Sequence, residues 1–237
     1  MSAVPESFRC CACVPGKVEV EMQMIENVAT GRERGMWYGL SRAASYVFHP
    51  FLVPVWIMIV LLGSAVFPFY MSAGVRRYIV MVVAIDTLAI PAMGIVLMRL
   101  LGIIRDYSLS TRHDRILPLA VVAVCYGVCG WLLDGAPVLF LMRRMMFAAM
   151  ACTLFALVVT TRWQISLHMT AWGGATGIVL LLLVAGYDVV WILCGAIAVS
   201  GIVASARLRL GKHTPAQVGA GFVGGLVIAA GVMLLWP

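Results

Sequence analysis

Charge is scarce in this chain. Asp, Glu, Lys and Arg make up 11% of its 237 residues and hydrophobic residues 63%, where a soluble domain carries about a quarter charged. A mean hydropathy of +1.02 therefore excludes an ordinary water-soluble globule and marks an integral membrane protein. The apolar-polar alternation of barrel strands is missing too. The apolar runs are continuous and reach or approach the roughly 20 residues that a helix needs to cross the hydrocarbon, so helices do the spanning. No apolar segment precedes the first run, so no cleavable signal peptide is expected. Outside the runs, only about 45 N-terminal residues are polar, and no second domain is expected.

What is present is a series of seven expected spans: Pro50 to Tyr70, Tyr78 to Gly102, Leu117 to Leu133, Met145 to Thr161, Met169 to Tyr187, Val189 to Ser205 and Pro215 to Trp236. The fold class that follows is all-α, a polytopic membrane bundle of about six to seven transmembrane helices. Residues 1–45 form a polar extension and residues 46–237 the transmembrane domain. Within the extension, "ENVATGRERGMWYGLSRAASYVFHP" reads as a basic interfacial approach, with an amphipathic helix as one form of it. The opening 24 residues are unlike the rest, being either disordered or upstream of a later start at Met22 or Met24. Of the seven cysteines, Cys125, Cys129, Cys152 and Cys194 fall inside spans, where a thiol is a small apolar filler. Cys10, Cys11 and Cys13 cluster, but no second ligand pair follows at zinc spacing, so neither a metal nor a disulfide framework is expected.

If seven spans are correct, parity places the N-terminus and three loops on one side: "IIRDYSLSTRHDRILP", "TRWQISLH" and "ARLRLGKHT". The histidines other than His49, and most loop arginines, collect there. The other connections hold Arg76 and Arg77, Arg143 and Arg144 with Asp134, and a lone Asp188. Arginine, serine and histidine without a carboxylate cluster suit an anionic ligand, above all phosphate: guanidinium groups fork onto its oxygens, and histidine serves as nucleophile or acid. A bland alternative is a juxtamembrane basic patch on anionic headgroups. Against it, His168 and His213 both sit at the mouth of a span, one beside Ser166 and the other six residues after Arg207.

These residues resemble the type 2 phosphatidic acid phosphatase (PAP2) superfamily, whose motifs are written K-x6-R-P, P-S-G-H and S-R-x5-H-x3-D. "ARLRLGKHTPAQ" is similar to the third, with Arg207 and His213 in register, Ala206 in place of the serine and Gln217 in place of the aspartate. "ISLH" is similar to the second, keeping Ser166 and His168. "RHDRILP" is a loose form of the first: Arg115 stands two residues too far from Pro118, and Ser108 occupies the lysine position. Together with "SYVFHPFLVP", "ISLHMTAWGGATG" and "HTPAQVGAGFVGG", the match extends from Ser45 to the C-terminus and resembles a divergent, Bacteroidota-like branch with a PAP2-like core.

The resemblance implies a lipid phosphatase in a bacterial inner membrane, working through a phosphohistidine. It assigns His213 as nucleophile and His168 as general acid, with Arg207, Arg115 and Ser166 as the phosphate cradle and Arg112 as a stand-in for the absent lysine. Gln217 would orient His213, lying over the same helical face at i+4. The implied partners are a lipid phosphate and membrane lipids, not nucleic acid, and no cofactor or metal is called for. Because Gln217 replaces a carboxylate, a weakened or inactive lipid-phosphate binder is the alternative, with Asp106 and Asp114 as compensating acids. A transporter would call for paired internal repeats, and no convincing repeat is present beyond the two histidine-capped spans.

Asp86, midway along the second span, is either functional or a carboxyl packed against another helix, for example with Thr87. Pro91 should kink that helix. The glycines of "GGATG" and "GAGFVGG" should permit close helix packing. Thirteen of the 17 Lys and Arg residues fall on the motif side, which the positive-inside rule assigns to the cytoplasm.

Overall fold

A computed structural model describes residues 35–64, 66, 71–104, 112–134 and 139–235, with only the backbone of Arg112 and His113. Every regular element among these residues is helical. They are α1 (Met36–Val47), a 3₁₀ turn (Pro50–Leu52), α2 (Val53–Leu62), α3 (Ala73–Leu100), α4 (Arg112–Leu132), α5 (Phe140–Thr160), α6 (Leu167–Val184), α7 (Val190–Arg209) and α8 (Pro215–Leu235). Helices α3 to α8 are six elements long and apolar enough to cross a membrane, and the chain is a multi-pass membrane protein with an all-α bundle. The packing described below belongs to the unit from Ser41 to Pro237.

The first expected span takes a different form. Instead of one helix from Pro50, α1 and Pro50–Leu62 form a pair bent by 42°, and α2 stops at Gly63. Proline explains the break: Pro50 and Pro54 lack the N–H that a continuous helix would use, so each opens a new helical segment. In α3 the irregularity is a π-helical turn over Ile85–Ala89, immediately before Pro91, whose missing N–H removes one rung of the ladder.

Helix α6 is the most enclosed of the spans, apolar almost all round as a central helix must be. Its tightest neighbour is α8, and small residues are the cause. A Cβ on Gly173 would strike the backbone of Phe222, one on Gly177 the backbone of Leu226, and one on Gly225 the backbone of Thr170. Only glycine lets the two backbones approach so closely. The remaining core is rich in flexible methionine, with Met58, Met142, Met145 and Met146 fully buried around Trp172 and Val179. Exposed apolar side chains such as Ile197, Val223 and Val227 face outward, as lipid contact requires. Tyr78, Trp131, Tyr187 and Trp191, all exposed, mark the membrane interface opposite the motif loops.

Of the cysteines, Cys125, Cys129 and Cys152 are buried free thiols and Cys194 is an exposed one; the Cys10, Cys11 and Cys13 cluster lies outside the described residues. Asp86 has Cys129 as its side-chain hydrogen-bond partner, while the Thr87 hydroxyl is buried without one among the described residues. The Asp86 carboxyl thus packs toward α4 rather than pairing with Thr87.

Candidate functional site

The stretch from Arg207 to Gln217 folds by local rules. Helix α7 ends in a Schellman turn: Lys212 N–H donates to the Arg207 carbonyl (3.2 Å) and Gly211 N–H to that of Leu208 (3.0 Å), with Gly211 at φ +62°, a conformation that favours glycine. Two residues later α8 opens with Pro215 at its first position. Thr214 N–H donates to Gln217 Oε1 (2.9 Å) and Gln217 N–H to Thr214 Oγ1 (3.4 Å), a reciprocal capping box. His213 is thereby held between the C-terminus of α7 and the N-terminus of α8.

This corrects the reading of Gln217. His213 precedes α8, so no i to i+4 face carries the amide onto the ring; capping fixes its place. From there Gln217 still hydrogen-bonds toward His213 and favours its charged form, but three larger or opposing influences prevail. Burial, then the charges of Arg207 and Arg115, push the His213 pKa down to about 4. At neutral pH the ring is uncharged and keeps a nitrogen lone pair. Its Nδ1 is buried and without a hydrogen-bond partner among the described residues.

Ser166 occupies the N-cap of α6 in an extended conformation, a position where serine ordinarily caps through its hydroxyl. Here the hydroxyl caps nothing. It is fully buried and without a partner among the described residues, while Ser166 N–H donates to the Gln217 carbonyl (3.3 Å). That bond ties the second motif to the third. His168, in the first turn of α6, is buried, and its Nε2 lies 3.0 Å from the Ser45 carbonyl. A carbonyl only accepts, so Nε2 carries the proton and Nδ1 is the nitrogen left for chemistry.

The four expected groups come together. Arg207 and His213 both act electrostatically on His168, and Arg115 acts on Arg207 and on His213. The Nε of Arg207 is buried without a partner among the described residues. Among the described residues, the charged influences on His168, His213 and Arg207 come from arginine, lysine and histidine. Asp114 is buried at the start of α4. Of the other expected residues, Arg112 opens α4 but its side chain lies outside the described residues, as do Ser108 and Asp106.

His49 belongs with this group, contrary to its separation from the other histidines in the sequence reading. Its ring meets that of His168 edge-to-face, with centroids 5.3 Å apart. Burial and, next, the charge of Arg207 lower its pKa to about 4. The reason is the bend: the break between α1 and α2 sets residues 45 to 49 across the first turn of α6. The strapping continues through Trp172 Nε1–H, which donates to the Phe48 carbonyl (3.2 Å), and through the edge-to-face contact of those two rings. Ser45 was the other residue missed. A signal was present for His49, a histidine at the mouth of an apolar run like His168 and His213, followed here directly by proline.

Next to the histidine pair, the bundle holds an apolar cavity of about 90 Å³. Its wall includes Pro50 and Phe51, which follow His49, Leu167, which precedes His168, and Tyr126 and Met145 deeper in the bundle. Comparison with known proteins returned no family model, no curated protein and no solved structure that matches this chain.

Proposed function

We infer that the protein is a lipid phosphatase, or a close functional relative that retains only the phosphate site, in a bacterial inner membrane. One observation carries this reading: in a cluster of arginine and histidine at one end of the bundle, Arg207 Nε–H and the Ser166 hydroxyl are buried and unpartnered among the described residues. Buried donors are normally satisfied. A phosphoryl group offers several anionic oxygens, suits guanidinium forks and neutralises the cations together. The N-termini of α4, α6 and α8 all open toward the same end, adding positive potential. The apolar cavity beside the histidines suits a substrate attached to hydrocarbon.

The chemistry the residues support is phosphoryl transfer through His213. Its unprotonated nitrogen attacks phosphorus, the bond from phosphorus to the lipid oxygen breaks, and that oxygen leaves with the proton of the monoprotonated substrate phosphate, relayed through Nδ1 of His168. Water then attacks the phosphohistidine, His168 takes its proton, and inorganic phosphate leaves. Arg207, Arg115 and Ser166 hold the equatorial oxygens, where charge spreads in a loose transition state. The low His213 pKa serves the first step, because a protonated ring is no nucleophile.

The second reading, binding without turnover, also rests on an observation. Among the described residues the charges acting on His213 are those of Arg207, Arg115 and Lys212, and the amide in the place of a carboxylate is engaged in capping α8. The test of the enzyme reading is phosphate release from phosphatidic acid or a polyprenyl phosphate by the purified chain in lipid nanodiscs. Release that disappears in Arg207→Ala supports the reading, and release that is the same in both removes the cradle from it.

A further inference from the structure

We propose that His49 is a third histidine of the site and that its Nε2–H donates to an oxygen of the bound phosphoryl group, beside Arg207 and Ser166. This rests on the lipid-phosphate reading above. His49 Nδ1 accepts from Phe51 N–H (3.4 Å), so the neutral ring carries its proton on Nε2. Nε2 itself makes no hydrogen bond among the described residues and is not sealed off from solvent. The ring is fixed on both sides, edge-to-face on Phe51 (5.0 Å) and on His168 (5.3 Å), so the free donor is pre-oriented beside the nitrogens that handle the leaving group. The field of Arg207 reaches it, which places it near the same anion. A neutral donor is useful there: it adds a hydrogen bond without adding another cation to a site that already holds Arg115 and Arg207.

His49 also explains why the chain breaks between α1 and α2. The step that interrupts the first span, His49 followed by Pro50, turns the ring inward, and the Ser45 carbonyl delivered by the same bend orients His168. One short segment thus supplies a donor to the substrate and a holder for the acid.

The experiment uses the full chain in nanodiscs, with inorganic phosphate binding followed by calorimetry and hydrolysis followed on phosphatidic acid, for wild type, Arg207→Ala, His49→Phe and His49→Gln. Phenylalanine keeps the ring contacts and removes both nitrogens, whereas glutamine restores an N–H near Nε2. A lost hydrogen bond to a charged group predicts phosphate affinity and kcat/KM about 10- to 100-fold lower in His49→Phe, with His49→Gln recovering most of the loss. Values equal to wild type in both His49 variants, while Arg207→Ala loses binding, overturn the proposal and leave the phosphate site standing. Wild type that neither binds nor hydrolyses overturns both. A footprint on wild type guards against a misfolded variant. Saturating phosphate should slow carbethoxylation of His49 by diethyl pyrocarbonate several-fold, and an unchanged rate counts against the donor role.

Discussion

At the scale of single residues, the site is defined by groups that lack what they would ordinarily have. Among the described residues, Ser166 stands at an N-cap and does not cap, Arg207 has a buried N–H with nothing to receive it, and His213 has a buried nitrogen without a partner. The residue beside them, Gln217, decides whether the histidine turns over. A carboxylate at that position could keep the capping bond from Thr214 N–H and add a negative charge facing an imidazole that Arg207 and Arg115 now hold neutral. Replacing aspartate by asparagine in a serine-protease triad lowers kcat by about 10⁴, which bounds the effect. We therefore expect Gln217→Asp to raise the rate of phosphate release by at least tenfold; an unchanged rate would mean that the amide is not what limits this site.

Titration belongs to the same scale. His49 and His213 have folded pKa values of about 4 against 6.5 for the free side chain. Below about pH 6.5 the unfolded chain binds protons at these rings that the folded chain does not, so the stability they contribute is whole above that pH and lost progressively toward pH 4. The thermal midpoint in nanodiscs should fall between about pH 7 and pH 5, and His213→Gln should make that fall shallower. A slope the same as wild type would contradict the burial of a neutral His213.

Among the elements, the α6–α8 pair carries the site, because Ser166 and His168 open one helix and His213 and Gln217 lead into the other. Their alignment depends on glycines that admit no Cβ. Gly225→Ala would press a methyl group against the Thr170 backbone, whereas Gly219→Ala meets nothing within 4 Å. Overpacking of this kind costs about 1 to 3 kcal/mol or more. Gly225→Ala should lower the thermal midpoint by several degrees and weaken phosphate binding, while Gly219→Ala should leave both unchanged, and equal effects of the two would refute the role of the close approach. These glycines were legible in the sequence as a packing device. The capping box spelled by Thr214-Pro215-Ala216-Gln217 is less legible, because a glutamine four residues after a histidine reads equally as a stand-in for aspartate.

Across the whole molecule, hydropathy alone was enough for the all-α bundle, since an apolar run of sufficient length has no other form in a membrane. Six of the seven spans lie where the runs are. The first is carried by a pair of helices bent by 42°, because a run of apolar residues says nothing about a proline-broken bend, and the same bend carried His49 and Ser45 into a site from which sequence distance separated them. The gathering of Arg115, His168, Arg207 and His213 was readable from the parity of the spans, while their burial needed the packed bundle.

The central claim, that this cluster transfers phosphate through His213, is tested most directly by trapping the intermediate. The full chain in nanodiscs, quenched during turnover of ³²P-labelled phosphatidic acid or polyprenyl phosphate, should carry an acid-labile, base-stable label that maps to His213 and is absent from His213→Ala. Phosphate release by His213→Ala at the wild-type rate, with no label on the protein, would contradict it.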